Sequence, residues 1–104
     1  MRKLKDNSIM LSPWPVKMVL KHEVLDESLE GSTSELSPGV VLVQINSMYS
    51  GDEALLSIVH ECMHVVQYVE EVIENPLDKE SEAYLLQSLV EWCMEKLGLK
   101  IQDS

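Results

Sequence analysis

No run of apolar residues in this chain approaches the ~18 needed to cross a bilayer without polar interruption, so no membrane span is expected. Basic residues are scarce, with 8 lysines and arginines against 18 aspartates and glutamates and a formal net charge of −10. That balance argues against a nucleic-acid ligand held through its phosphates. It fits an acidic, solvated surface and favours cationic partners only weakly. Cysteine is limited to Cys62 and Cys93, neither in a CxxC pair. A thiolate zinc site and a thioredoxin-like pair are therefore excluded, and buried free thiols in a reducing cytosol are the simplest account. Internal repeats and low-complexity tracts are missing too. Residues 1–6 carry basic side chains with no apolar stretch after them, so no secretory signal is expected and the protein reads as cytoplasmic.

What is present is the composition of an ordinary globular domain, 45% hydrophobic and 25% charged over 104 residues. That length makes one domain, residues 1–104, with one modest core.

One stretch organises the rest: His60-Glu61-Cys62-Met63-His64. On a helix of about 3.6 residues per turn, positions i and i+4 share a face. His60 and His64 can therefore reach one metal ion, with Glu61 beside it as a general base for a metal-activated water. From residue 54 to 69 the chain is apolar almost all round, which reads as a helix buried on most sides. Its polar exceptions are Ser57, His60, Glu61, His64, Gln67 and Tyr68, and all but Gln67 form one strip, at i, i+3, i+4, i+7 and i+11. Two core histidines satisfied by hydrogen bonds, with Glu61 as their partner, would be the bland reading of such a strip.

Around the motif the elements read as follows. Ser12-Pro13-Trp14-Pro15 is extended or turning. Residues 16–26 and 39–46 read as strands, and 26–38 between them as a polar loop. The connection is too short for a crossover helix, so the two strands are expected to pair as an antiparallel hairpin. The motif helix spans about 52–74 and stops at Asn75-Pro76; a second runs from about 78 to 97, with Gly98 as its stop. His22, on the first strand, reads as a surface or sheet histidine. The expected fold is α+β: a small antiparallel sheet of two or three strands packed on two main helices.

A metal held by His60 and His64 needs a third protein ligand. No histidine follows His64, so the candidates are the carboxylates Asp78, Glu80 and Glu82. Glu82 falls near the middle of the second helix's apolar arc; Glu80 falls at its edge, beside Ala83 and Tyr84. A hydrolytic metal must face a cleft that water can enter, which favours Glu80 with Glu82 as runner-up. Both could instead be first-turn acids placed for the helix dipole.

His60-Glu61-x-x-His64 followed by Glu80-Ser81-Glu82-Ala83-Tyr84 on a later helix resembles the zincin metallopeptidases. It is most similar to the small gluzincin-like proteins of phages and prophages, over roughly residues 39–97. The resemblance implies Zn2+ held by His60, His64 and Glu80, Glu61 as base, and hydrolysis of a peptide or protein substrate. Tyr68 and Tyr84 are candidates by position for stabilising an oxyanion. The chain lacks a sizeable second lobe to wall a substrate cleft. Two alternatives therefore stand beside the peptidase: a zinc-binding or metal-free interaction module without peptidase activity, and a structural domain with a coincidental motif.

Overall fold

The computed structural model describes residues 2–3 and 7–99, with side chains from residue 7 onward. The remaining positions of the expected 1–104 domain lie outside the described residues. The fold is α+β. Five strands, β1 (Arg2–Lys3), β2 (Ser8–Met10), β3 (Lys17–Glu23), β4 (Gly31–Ser37) and β5 (Val40–Asn46), precede two helices, α1 (Gly51–Ile73) and α2 (Lys79–Leu97). The sheet order is β1-β2-β3-β5-β4. Ser12-Pro13-Trp14-Pro15 makes the turn between β2 and β3, as its prolines require, with a cis Ser12–Pro13 peptide.

Two expectations about the sheet are corrected. The strands β3 and β5 pair in parallel, with Met18 beside Val41 and Leu20 beside Val43. They are not a hairpin, because the segment 26–38 is not all loop. Its second half is β4, which lies on the far side of β5 and pairs with it antiparallel. A strand thus makes the reversal for which a helix would have been too long. The sequence Gly-Ser-Thr-Ser-Glu-Leu-Ser hides this strand because it is a sheet edge. One of its faces meets water and the other lines a cleft, so no apolar alternation is written into it.

The crossover from β3 to β4 is organised by Asn46, which is fully buried at the end of β5. Its Oδ1 accepts from the backbone N–H of Leu25 and Met48, and its Nδ2 donates to the carbonyls of Asp26 and Leu29. One buried side chain thereby satisfies backbone polar groups of a loop that has no ladder of its own. Asp26 adds a local turn by accepting from the Ser28 N–H and hydroxyl. Those bonds, the backbone one first, hold its carboxyl below the usual aspartate range.

Val41, Val43 and Ile45 of β5 and Met18 and Leu20 of β3 are buried on one sheet face. They pack with Ile58, Cys62, Val65 and Val69 of α1 and Leu85, Leu89 and Trp92 of α2. The two helices form an antiparallel pair closed by a short turn. Glu74 ends α1 in the left-handed conformation, and Asp78 caps α2 by accepting from the Ser81 N–H at 2.8 Å. The thiols of Cys62 and Cys93 are both free and buried, 3.9 Å apart across the helix interface. Burial of α1 on most sides is not what the fold provides: Leu56 is 67% exposed, and Val59 and Met63 also reach solvent. A chain this short builds only two layers, so one flank of the helix has nothing to cover it.

Replacing Asn46 with alanine would remove at once the side-chain partner of the Leu25 and Met48 N–H groups and of the Asp26 and Leu29 carbonyls. Asn46→Ala should lower the unfolding free energy by about 1–3 kcal/mol, read from the urea midpoint. An unchanged midpoint would show that the crossover holds its shape without Asn46.

Candidate metal centre and cleft

The motif residues face the gap between α1 and the edge strand β4. Glycine at position 31 sets the width of that gap. A Cβ built there would lie 2.6 Å from Ser57 Oγ and 3.0 Å from Glu61 Cγ. With any other residue the strand would have to retreat from the helix. Pairing with β5 puts Gly31, Thr33 and Glu35 on the sheet face that carries Ile45, Val43 and Val41, the face that meets α1.

Glu61 is the most enclosed of the motif side chains, at 5% exposure. Thr33 Oγ1 donates to its Oε1 at 2.7 Å, so the carboxylate is held in one orientation with its second oxygen uncommitted to Thr33. Ser57, also buried, donates to the Glu30 carbonyl at 3.0 Å and anchors the start of β4. His60 and His64 are exposed at the cleft, their rings edge-on with centroids 4.8 Å apart. Their Nε2 atoms are 3.2 Å apart, and His64 Nδ1 is 3.1 Å from Gln67 Oε1. An amide oxygen only accepts, so in this contact His64 Nδ1 is the donor. Two nitrogens bound at about 2.0–2.1 Å to one tetrahedral ion stand about 3.3–3.4 Å apart. The observed spacing fits two ligands of one zinc, and the Gln67 contact is the kind of outer-shell bond that orients such a ligand.

The cleft has two lobes. One, about 380 Å³, is lined by Thr33, Glu35, His64, Gln67, Tyr68 and Glu71 among others. The other, about 340 Å³, is lined by Ser28, Leu29, Glu30, Leu56 and Ser57. They share Gly31, His60 and Glu61, so the motif sits where the lobes meet. Among the described residues no lysine or arginine lines either lobe, and the field there favours a cation.

The carboxylates expected from α2 are not brought to the histidines. Cys62 touches α2, and on a helix it points about 160° away from both His60 and His64. The helices run antiparallel through the Cys62–Cys93 contact, so the start of α2 lies beside the end of α1. Counting from that contact at about 1.5 Å per residue, Glu82 is about 13 Å and Glu80 about 16 Å past the level of His64. Glu80 is exposed, as are Ala83 and, at 72%, Tyr84. The edge of the arc that was expected to meet α1 faces water. Glu82 is half-buried, and Asp78 is spent as the cap of α2, where the Ser81 N–H keeps its carboxyl below the usual range. Among the described residues no three His, Cys, Asp or Glu side chains converge as a metal-holding group. His22 is exposed on β3, a sheet histidine as expected.

Four residues at the cleft were not singled out from the sequence: Gly31, Thr33, Glu35 and Gln67. The first three lie in a segment that reads as loop. Gln67 had a usable signal, since it is one turn from His64 on the motif helix.

Tyr68 reaches from α1 to the sheet. Its hydroxyl donates to Glu35 Oε2 at 2.6 Å and accepts from the Gly39 N–H at 2.9 Å. It clamps the β4–β5 turn and Glu35 to the helix. Burial, then the bond to Glu35, push its phenol above the usual range, while the Gly39 N–H pulls the other way. No protein-family model, curated protein or solved structure matches this chain.

Two measurements follow. Gly31→Ala should cost about 1–3 kcal/mol of stability through overpacking against Ser57 and Glu61, visible in a urea titration; a neutral result would mean that β4 can shift freely. A phenol whose folded pKa is raised contributes stability that is intact below its ordinary value near 10 and lost as pH rises through the folded value. Wild type should therefore lose more stability above pH 10 than Tyr68→Phe does, compared by thermal melts from pH 8 to 11. Parallel melting curves would remove that role.

Proposed function

We propose that this protein is a zinc-dependent, zincin-like hydrolase of peptide bonds, acting in the cytoplasm. His60 and His64 are the histidine ligands and Glu61 the general base. The observation that carries the reading is the pair of imidazole nitrogens 3.2 Å apart on α1, beside the buried carboxylate of Glu61.

A zinc ion there would supply an attacking water acidified toward pH ~7 and would polarise the scissile carbonyl. Glu61 takes the proton from the attacking water and returns it to the leaving nitrogen. Thr33 holds Glu61 Oε1, so the base is oriented before substrate arrives. Gln67 keeps the His64 ring in the tautomer whose Nε2 can ligate. The edge strand β4 borders the cleft, and among the described residues no strand lies beside its outer backbone groups. An extended peptide can pair with such an edge and lay its scissile bond along the motif helix. This makes a peptide or unfolded protein segment the fitting substrate class; an acidic cleft without lysine or arginine gives a nucleic acid nothing to bind. No helix among the described residues is long and apolar enough to cross a membrane.

A second reading has its own observation. Leu29 and Leu56 are exposed at one lobe, and Met63 lies beside the histidines on α1. Apolar side chains next to an open sheet edge also suit a module that binds a protein segment without cutting it.

The two readings separate in one experiment. The zinc-loaded wild type should carry one zinc per chain by elemental analysis and cleave unfolded casein. Glu61→Gln should keep its zinc and lose about 10²–10⁴-fold in cleavage rate. Undiminished cleavage by Glu61→Gln would take the base away from Glu61. A zinc-loaded wild type that binds casein without cutting it would establish the interaction module.

A further inference from the structure

We propose that the third protein ligand of the metal is Glu35, supplied by the edge strand β4 and not by the second helix. This rests on the zinc reading above and deepens it.

The histidines point away from α2, so the ion they share must be completed from the cleft side. Apart from Glu61, the larger lobe is lined by two carboxylates, Glu35 and Glu71. Glu71 is on the same helix as the histidines, seven residues past His64, or about 10 Å along the axis. That is beyond the reach of a glutamate. Glu35 stands differently. On its strand Thr33 touches Glu61, and two residues on, about 7 Å along the strand, Glu35 touches Tyr68. His64 lies on α1 between the levels of Glu61 and Tyr68, and it lines the same lobe as Thr33 and Glu35. Glu35 also points to the helix side of the sheet, as Thr33 does.

The surroundings of Glu35 suit a ligand. Its Oε2 accepts from the Tyr68 hydroxyl at 2.6 Å, which leaves Oε1 for an ion. Tyr68 is in turn held by the Gly39 N–H. A ligating carboxylate braced by its own hydrogen-bond donor is a recurrent arrangement at metal sites. His60, His64 and Glu35 do not converge as they stand, but Glu35 is exposed, so its free Oε1 can be brought round toward the histidines without disturbing the core. His60, His64 and Glu35 then supply two neutral nitrogens and one anionic oxygen, a donor set that zinc accepts and that leaves a position for water.

The test measures Zn2+ affinity by competition with a chromogenic chelator, and the visible spectrum of the Co2+-loaded protein, for wild type, Glu35→Gln, Glu82→Gln, Tyr68→Phe and His60→Ala. Glu35→Gln should weaken zinc binding by tenfold or more, roughly the least that loss of a ligand should cost, and should change the cobalt spectrum. Its metal-free form should melt with the wild type, since the side chain is exposed. Glu82→Gln should bind as wild type does. Binding by Glu35→Gln within about twofold of wild type would overturn the assignment, as would loss of zinc in Glu82→Gln. So would a Glu35→Gln effect no larger than that of Tyr68→Phe with an unchanged cobalt spectrum, which would make Glu35 a positioning residue. A wild type that takes up no zinc, or a His60→Ala variant that binds as tightly, would overturn the zinc reading itself and this assignment with it.

Discussion

The close approach of β4 to α1 is the constraint on which the cleft depends. It is made possible by one missing methyl group, at Gly31, and made obligatory by the Thr33–Glu61 bond at 2.7 Å. A carboxylate as enclosed as Glu61 needs a hydrogen-bond donor. The strand supplies the donor, and the helix in turn gives the strand a surface to lie on. Neither contact is available if the strand is pushed out by a side chain at position 31. The same approach brings Glu35 to Tyr68, so the strand is tied to α1 at both ends of the motif.

The two faces of α1 divide the work. The side that carries Cys62, Val65 and Val69 is fully buried against the sheet and α2. The opposite side carries His60 and His64 in the open. In a helix of about 3.6 residues per turn this division is unavoidable for residues two apart. It explains how a five-residue motif can be both a core segment and a solvent-facing site, and why the helix that packs on its buried side cannot share its exposed one.

How much of this was legible in the sequence follows from the kind of signal each part leaves. The helices were legible, because caps, prolines and apolar spacing are local; Gly98 and Asp78 mark the ends of α2 where the residues imply. The strand at 40–46 was legible from its β-branched run. The pairing of that strand was not, because β4 is polar on both faces and looks like loop, and because Asn46 acts through groups 17–21 residues away. The His-Glu-x-x-His motif was legible as a spacing. Where the acids of α2 stand relative to it was not, since helix-wheel geometry gives the direction of Glu80 and Glu82 on α2 but not the level at which α2 meets α1. That level is set by the length of α1 beyond His64, and the contact of Cys62 with Cys93 records it.

The irregular end of β4 has a consequence for self-association. A regular, apolar edge beside a cleft would invite a second sheet to extend it without limit. Here the register slips between Glu35 and Ser37, and Pro38 and Gly39 follow at once. A bulge twists the strand away from a flat neighbour, and a proline offers no N–H to continue a ladder. The stretch available for pairing is therefore short, and it lies where the edge borders the motif helix. It has room for only a few extended residues, and propagation into a fibre-like stack meets the register slip almost immediately. The hydroxyls and carboxylate of Gly-Ser-Thr-Ser-Glu-Leu-Ser work in the same direction, keeping the exposed edge wet.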